Sequence, residues 1–437
     1  MEWYFVILLF FVLLMTFIFA GFPIAFAFFT VNIIVVGVFI GLDSGMKTLI
    51  NSSYDSLAKF SLTPIPLFVL MGEVLFQAGL VKILLDGISK LLGKIPARLS
   101  VLTIGTGTVL SAMSGSAVAD AAMLGSTLAP EMQKKNYHLK MIVGPIVASG
   151  LLAVIIPPTT LGILLASTAK ISVGDVLIAG IIPGSIMALM ILAYYFTKGI
   201  TNPELAPKYD TTNISVREKM KAFLFEILPV ATLIIFVLGL MLMGIVTPTE
   251  SAATGALGAL VIAAVFKNLN FKVIKNALIG TAHTSIMILL IIAASAGFSQ
   301  ILSYTGATRG MVEFVIGWDI APILTVIFML LIVLILGTFI EPISIMMITV
   351  PLFYPIIDAI SYDPILFAIL MLICLALGNI TPPFGLLLFV MKGVLPKGTK
   401  TVEIYKAVVP VIGICILLVI VLMVFPNITL WLPSLSQ

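Results

Sequence analysis

The sequence predicts an all-α membrane protein that crosses the bilayer many times, and three observations support this fold class. The 437 residues are 61% hydrophobic and only 10% charged, whereas soluble domains carry about 25% charged residues. Adjacent prolines interrupt two apolar segments, at Pro157-Pro158 and Pro382-Pro383. Apolar runs of about 18 residues or more, long enough to span a bilayer as helices, cover residues 3–20, 23–42, 176–196, 223–246, 281–302 and 407–425.

Charge and cysteine usage narrow the class further. The formal net charge is +4 and the basic residues are scattered between the predicted spans, so we expect a lipid bilayer as the surroundings and no nucleic-acid partner. Cys374 and Cys415 lie in apolar segments without metal or redox spacing, and we interpret them as packing residues. The first apolar run lacks a basic flank and an A-x-A site, which favours a retained helix over a signal peptide.

Lysine and arginine cluster in five zones that the positive-inside rule assigns to the cytoplasm. The only sizeable polar loop, residues 198–222, is one of them. The first of the other zones, Lys82–Arg98, also has the pattern of an amphipathic arm on the membrane surface, with a candidate counterpart at Phe271–Gly280. The remaining zones contain Lys134, Lys135 and Lys140; Lys267, Lys272 and Lys275; and Lys392, Lys397, Lys400 and Lys406.

The apolar stretch from Arg98 to Lys134 has basic residues at both ends, so both ends are expected in the cytoplasm. About 35 residues divided into two arms leave roughly 24 Å of helix each, which is short of the ~30 Å bilayer core. We therefore predict a re-entrant hairpin that turns at Ser114-Gly115-Ser116, where glycine and serine suit a tight turn.

A second segment has the same pattern with the opposite orientation. The stretch from Asp319 to Asp363 is apolar, is interrupted at residues 337–342, and carries acids but no Lys or Arg at its flanks. Following the spans along the chain places these flanks on the external side. We predict a second hairpin that enters from outside.

Each predicted hairpin precedes a helix with a double proline. Prolines inside a helix remove amide donors and displace the preceding residues from helical geometry. Backbone groups freed at membrane depth are tolerated where they line a cavity or bind something. Two such units of opposite orientation indicate an inverted-repeat secondary transporter, with cation sites built from free carbonyls and anion sites at half-helix N-termini.

The motifs at these positions resemble those of one family. The run Ser111-Ala-Met-Ser-Gly-Ser-Ala-Val-Ala-Asp-Ala-Ala122 is similar to the signature of the large membrane subunit of TRAP (tripartite ATP-independent periplasmic) transporters. The resemblance covers the chain in order, through Ile155-Ile-Pro-Pro158, Gly244-Ile-Val-Thr-Pro-Thr-Glu250, Gly337–Pro351 and Ile380-Thr-Pro-Pro-Phe-Gly-Leu-Leu-Leu-Phe389.

The resemblance implies a mechanism, partners and a location. Na⁺ would be the coupling ion, at two or more per cycle, and the cargo would be an organic acid such as a carboxylate or sugar acid. A mobile body would move in an elevator mechanism against a scaffold. A soluble periplasmic or extracellular binding protein would deliver the solute, and a separate small four-helix membrane subunit would complete the scaffold. The chain would be a multi-pass protein of a bacterial or archaeal cytoplasmic (inner) membrane.

The resemblance also implies site residues. Glu341 stands where the family often has Asp, which leaves its role open between substrate contact, sodium ligand and hairpin brace. Ala153 stands where glycine is frequent. The first sodium site would fall on Ser114, Asp120 and the carbonyls of Ala153, Ile156 and Pro158. The second would fall on Gly337, Thr338, Gly378, Thr381 and Pro383. Substrate contacts would include Ser116, Thr159, Glu341 and Pro382.

These inferences divide the chain into five parts. Scaffold helices and an amphipathic arm occupy residues 1–98, and linking and scaffold helices occupy 176–318. The two transport-domain halves comprise residues 99–175, with a hairpin at about 99–133 and a broken helix at about 140–170, and residues 319–395, with a hairpin at about 320–362 and a broken helix at about 364–392. A C-terminal helix covers 400–437.

Alternative functions are weaker but distinct. The sequence contains no H-E-x-x-H or G-x-S-x-G motif, and Gly87–Lys94 departs from the phosphate-loop spacing, so an enzyme is not expected. A channel with two opposed hairpins around a continuous pore stays open. Among transporters, the alternative is a stand-alone Na⁺/dicarboxylate symporter of related architecture, which would need no binding protein.

Overall fold

The computed structural model describes residues 3–207, 214–396 and 398–435, and these residues are helical without any strand. Residues 208–213 of the predicted cytoplasmic loop, Lys397 and the two residues at each end lie outside these ranges. Eight helical segments are long and apolar enough to cross a membrane. The predicted all-α, multi-span class is therefore confirmed for the described residues.

The helices pack into two groups. Two helices, Pro64–Gln77 and Phe271–Tyr304, form the centre of the first group. They pack against each other, and together they contact most of the other members. Its members are α1 (Trp3–Phe19), α2 (Ile24–Phe39), α3 (Leu42–Leu57), α4 (Pro64–Gln77), α12 (Leu228–Leu242), α13 (Pro248–Val265) and α14 (Phe271–Tyr304).

The second group contains both helical pairs and both broken helices. Its members are α6 (Arg98–Ser114), α7 (Ala117–Lys134), α8 (Leu139–Ile155), α9 (Thr160–Ala169), α10 (Val173–Thr201), α16 (Pro322–Gly337), α17 (Pro342–Ala359), α18 (Pro364–Gly378), α19 (Leu386–Val394), α20 (Thr401–Val424) and α21 (Asn427–Ser434). The sequence grouped α10 with the linking helices, but α10 packs against α6, α8, α9 and α18. The predicted C-terminal helix is divided into α20 and α21.

The core of the second group is formed by α8 and α18. Every residue from Met141 to Ile155 is buried, as is every residue from Leu366 to Gly378. A helix that is apolar on all sides is expected to be enclosed by other helices. The two helices that carry the breaks are thus the most enclosed part of this group.

Short helices connect the two groups. The predicted arm is α5 (Leu80–Leu92), which begins after Gly79 with φ +70°. The predicted counterpart at Phe271–Gly280 is wrong, because those residues begin the continuous helix α14. The structural counterpart is α15 (Ala307–Ile316), which follows Gly306 with φ +73° and precedes the second helical pair. The remaining short elements are α11 (Val216–Ala222), a π turn at Phe223–Ile227 and 3₁₀ turns at Phe60–Leu62 and Pro203–Leu205.

Candidate functional site

The first helical pair turns where the sequence predicts. Gly115 ends α6 with φ +58°, and the Ser116 side chain caps α7 by accepting from the amide of Ala119. A Cβ on Gly115 would lie 3.0 Å from Thr160 Oγ1 and 3.4 Å from the carbonyl oxygen of Pro158. The left-handed backbone and this close approach both favour glycine. The turn therefore lies directly against the first helix break.

Asp120 lies in the first turn of α7 and is 1% exposed. Ser114 Oγ donates to Asp120 Oδ1 at 2.5 Å, and Ser111 Oγ lies 3.5 Å from Asp120 Oδ2. A buried acid at membrane depth is costly and is usually functional. Two of the predicted ligands of the first sodium site, Ser114 and Asp120, are thus in direct contact.

At the first break, two carbonyls lose their helical hydrogen bonds, and a side chain replaces the donor of one of them. Pro157 and Pro158 have no N–H, so Ala153 and Val154 lose the amide donors that a continuous helix would supply. Thr159 Oγ1 donates to the Val154 carbonyl at 2.9 Å. No described residue replaces the lost donor at Ala153, whose carbonyl was predicted to bind sodium. Both peptide bonds between adjacent prolines, at this break and at the second, are cis.

The α10 helix packs closely against the first break. A Cβ on Gly180 would lie 2.6 Å from the Ile155 carbonyl oxygen, and one on Gly184 would lie 2.8 Å from the Ile156 side chain. This segment includes Ile156 and Pro158, whose carbonyls were predicted to bind sodium, and Pro158 is buried. The segment is therefore held between α10 and the turn of the first helical pair.

The second predicted sodium site is assembled at a crossing of α16 and α18. A Cβ on Gly378 would lie 2.5 Å from the Cα of Gly337, so the two backbones touch. The hydroxyls of Thr338 and Thr381 donate to carbonyls of their own helices, at 2.8 and 2.7 Å. Their oxygens keep acceptor capacity for a cation.

The double proline of the second break has a different environment from that of the first. Pro382 and Pro383 are exposed, and the Pro383 carbonyl accepts a 2.5 Å hydrogen bond from the Tyr405 hydroxyl. A cation at Pro383 would share that oxygen with a donor. The second break is therefore more open than the first, and Pro383 is the least favourable member of its predicted ligand set.

We predict that Gly378→Ala strongly destabilises the folded chain. The added methyl group would meet the backbone of Gly337, which cannot move aside as a side chain can, and overpacking of this kind costs about 1–3 kcal/mol. The measurement is the thermal unfolding midpoint of the purified protein. Gly413→Ala is the matched control, because nothing lies within 4 Å of a Cβ there. Equal midpoints for the two variants would contradict the crossing.

A cavity of about 390 Å³ lies between the two groups of helices. Three of the site residues that the sequence analysis predicts line this cavity, namely Ser114, Ser116 and Glu341. Glu341 also caps α17, since its Oε1 accepts from the amide and the hydroxyl of Ser344 at 3.2 and 3.1 Å. The first group contributes Glu73 from α4 and Thr284 from α14. The cavity therefore has walls from both groups.

Two predicted substrate residues do not line this cavity. Thr159 is 2% exposed, and its hydroxyl caps α9 while it bonds the Val154 carbonyl, so its neighbour Thr160 faces the cavity instead. Pro382 lies on the open side of its break. Sequence reasoning missed Asn379, a buried amide in the cavity wall. Its position between Gly378 and the double proline was a signal that could have found it.

Four helices begin at the cavity. The first residues of α7, α9, α17 and α19 all line it, and no Lys, Arg or His is among its described lining residues. Helix N-termini present free amides and the positive end of the helix dipole, which favour anions. These N-termini can hold an anion without a basic side chain, but Glu73 and Glu341 also line the cavity. A bound anion would therefore need a cation nearby to offset these carboxylates.

The fold and the site define a membrane transporter with multiple spans and with two broken helices beside a cavity between its two groups of helices. The chain belongs to the family of the tripartite ATP-independent periplasmic transporter, DctM component, whose model matches residues 9–428. The resemblance that the motifs indicate is thereby confirmed.

Named relatives match most of this chain. The sialic acid TRAP transporter large permease protein of Vibrio cholerae is 28% identical over 96% of this chain and 96% of its own. The isethionate TRAP transporter permease of Oleidesulfovibrio alaskensis is 28% identical over 94% of this chain, which spans 66% of that longer protein. The solved YdaH transporter of Alcanivorax borkumensis has the same fold, with TM-score 0.63 at 15% identity over 89% of each chain.

Proposed function

We propose that this chain is the large membrane subunit of a TRAP transporter and takes up an organic acid by Na⁺-coupled secondary active transport. The observation that carries the proposal is the cavity between the two groups, where four helix N-termini meet and none of the described lining residues is basic. Such a cavity suits a carboxylate or sulfonate group. The relatives named for sialic acid and isethionate support an acidic cargo.

The oxygen donors at the first break support Na⁺ as the coupling ion. The Asp120 carboxylate, the Ser114 hydroxyl and the Ala153 carbonyl are hard oxygen ligands of the type that small cations prefer. Asp120 is buried and hydrogen-bonded to Ser114, so a cation there would balance a charge that is otherwise costly to bury. Gly337, Thr338, Gly378 and Thr381 are the proposed second site.

The two packing groups support an elevator mechanism. The second group, with both helical pairs and both breaks, is the proposed mobile body, and its helical pairs are the proposed re-entrant hairpins. The first group is the proposed scaffold. The groups are joined through the short helices α5 and α15, which would let one group move relative to the other. A small four-helix membrane subunit and a soluble binding protein are the proposed partners.

Uptake into proteoliposomes tests this proposal. We expect an inward Na⁺ gradient to drive uptake of a radiolabelled acid only when the chain, the small subunit and the binding protein are all present. A K⁺ gradient of equal size is the control. Panel acids include a sialic acid, a C4-dicarboxylate and isethionate. Robust uptake by the chain alone would contradict the tripartite assembly, and uptake without Na⁺ would contradict the coupling ion.

A further inference from the structure

A second polar cleft lies between the two groups, away from the cavity described above. Its volume is about 200 Å³. The first group contributes residues near the end of α3 and from α14, and the second group contributes the C-terminal end of α9. Lys59 and Lys170 line it together with one acid, Asp55. Among the described lining residues of the cleft, positive charges therefore outnumber negative ones.

Neither lysine has a carboxylate partner in the part of the chain that the structure describes. The ion pairs among the described residues are Lys90–Glu226 and Arg309–Glu313. Neither Lys59 nor Lys170 is within ion-pair distance of a described acid, although Asp55 lines the same cleft. Ser167 adds a buried hydroxyl without a hydrogen-bond partner, and Ser299 and Gln300 add further polar groups. The cleft thus offers cationic and neutral donors that no described side chain uses.

The cleft lies at the end of the molecule opposite the basic zones. The α4 helix begins near it and ends before α5, which carries Lys82 and Lys90. The α8 helix begins beside Lys140 and continues through the break into α9, which ends at Lys170. The positive-inside rule places the basic zones in the cytoplasm. The cleft therefore opens towards the external side, where an acid arrives.

We propose that this external cleft is an anion-binding vestibule, in which Lys59 and Lys170 capture the organic acid before it reaches the cavity. Lys59 comes from the segment between α3 and α4 and Lys170 follows the end of α9, so both packing groups bring a lysine to the cleft. Charged clefts concentrate oppositely charged ligands and raise their rate of association. The organic acid as ligand rests on the proposed function, whereas the electropositive character of the cleft does not.

Cysteine labelling tests the charge of the cleft. Ser299→Cys is treated in right-side-out membrane vesicles with two methanethiosulfonate reagents, one bearing a sulfonate and one a trimethylammonium group. Ser303→Cys, exposed one turn further along α14, is the matched control. Cys374 and Cys415 are buried, and the unsubstituted chain gives the background. We expect the sulfonate reagent to be favoured about fivefold at Ser299→Cys relative to the control.

The lysines must account for that preference. We expect Lys59→Gln with Lys170→Gln to abolish it, and 0.5 M NaCl to reduce it, because salt at about that concentration screens charges beyond a few ångströms. In the uptake assay the same pair should raise KM about fivefold and leave the maximal rate unchanged. The vestibule is disproved if the ratio of sulfonate to trimethylammonium labelling is the same at Ser299→Cys and Ser303→Cys. It is also disproved if the two lysine substitutions leave this ratio unchanged, or if Ser299→Cys reacts only from the cytoplasmic side. Normal Na⁺-driven uptake together with any of these results would leave the proposed function standing.

Discussion

Replacing Asp120 with asparagine is expected to weaken Na⁺-driven uptake about tenfold or more at low Na⁺, because removing one partner of a buried charge pair is strongly unfavourable. Asparagine has nearly the same shape and can still accept from Ser114, so the fold should be retained. What is lost is the negative charge of a residue that is 1% exposed and hydrogen-bonded to Ser114, beside the turn that contacts the first break. The half-saturating Na⁺ concentration should rise accordingly.

The Asp120 measurement compares initial uptake rates over a range of Na⁺ concentrations in proteoliposomes that contain the complete assembly. Asp43→Asn is the matched control, since Asp43 also lies in the first turn of a helix but is exposed. Ser114→Ala should show a smaller loss, because the backbone carbonyls of the proposed site remain. An unchanged apparent Na⁺ affinity in Asp120→Asn would remove Asp120 from the proposed sodium site.

Three substitutions at Glu341 should separate its charge from its capping role. Glu341→Asp keeps both a charge and a good helix cap, so we expect uptake within about twofold of the original. Glu341→Gln keeps the oxygen that accepts from Ser344 but removes the charge, and we expect about a tenfold loss of uptake. Glu341→Ala removes both, and loss of a cap adds about 1 kcal/mol of destabilisation.

The Glu341 expectation follows from its place in the molecule. Glu341 lines the 390 Å³ cavity and also a second, apolar cavity of about 720 Å³ between α2 and α14. A carboxylate at such a junction is expensive unless cargo or ion uses it. Uptake and unfolding midpoints are measured on the same preparations. If Glu341→Gln transports normally and only Glu341→Ala is impaired, Glu341 is a hairpin brace.

The sequence by itself determined the local breaks of this protein. Proline lacks an amide and clashes with the preceding turn, so Pro157-Pro158 and Pro382-Pro383 interrupt helices whatever surrounds them. Gly115 between two serines likewise predicts a turn. Composition and span length decided the class, because only lipid accommodates so much apolar surface. The family resemblance placed Ser114 and Asp120 in one predicted site, and the two residues lie only six positions apart across the turn.

Only the tertiary structure decided what the breaks contact. The cavity joins residues far apart in sequence, such as Glu73, Ser116 and Glu341, and no local pattern encodes that distance. Asn379 lines the cavity and Thr159 does not, because packing decides which of several polar neighbours faces a cavity. The second arm, α15, was missed for a related reason: the apolar face of Phe271–Gly280 predicts helix but not where that helix ends. Local chemistry specifies conformation residue by residue, whereas a site between two bodies depends on how their buried faces fit.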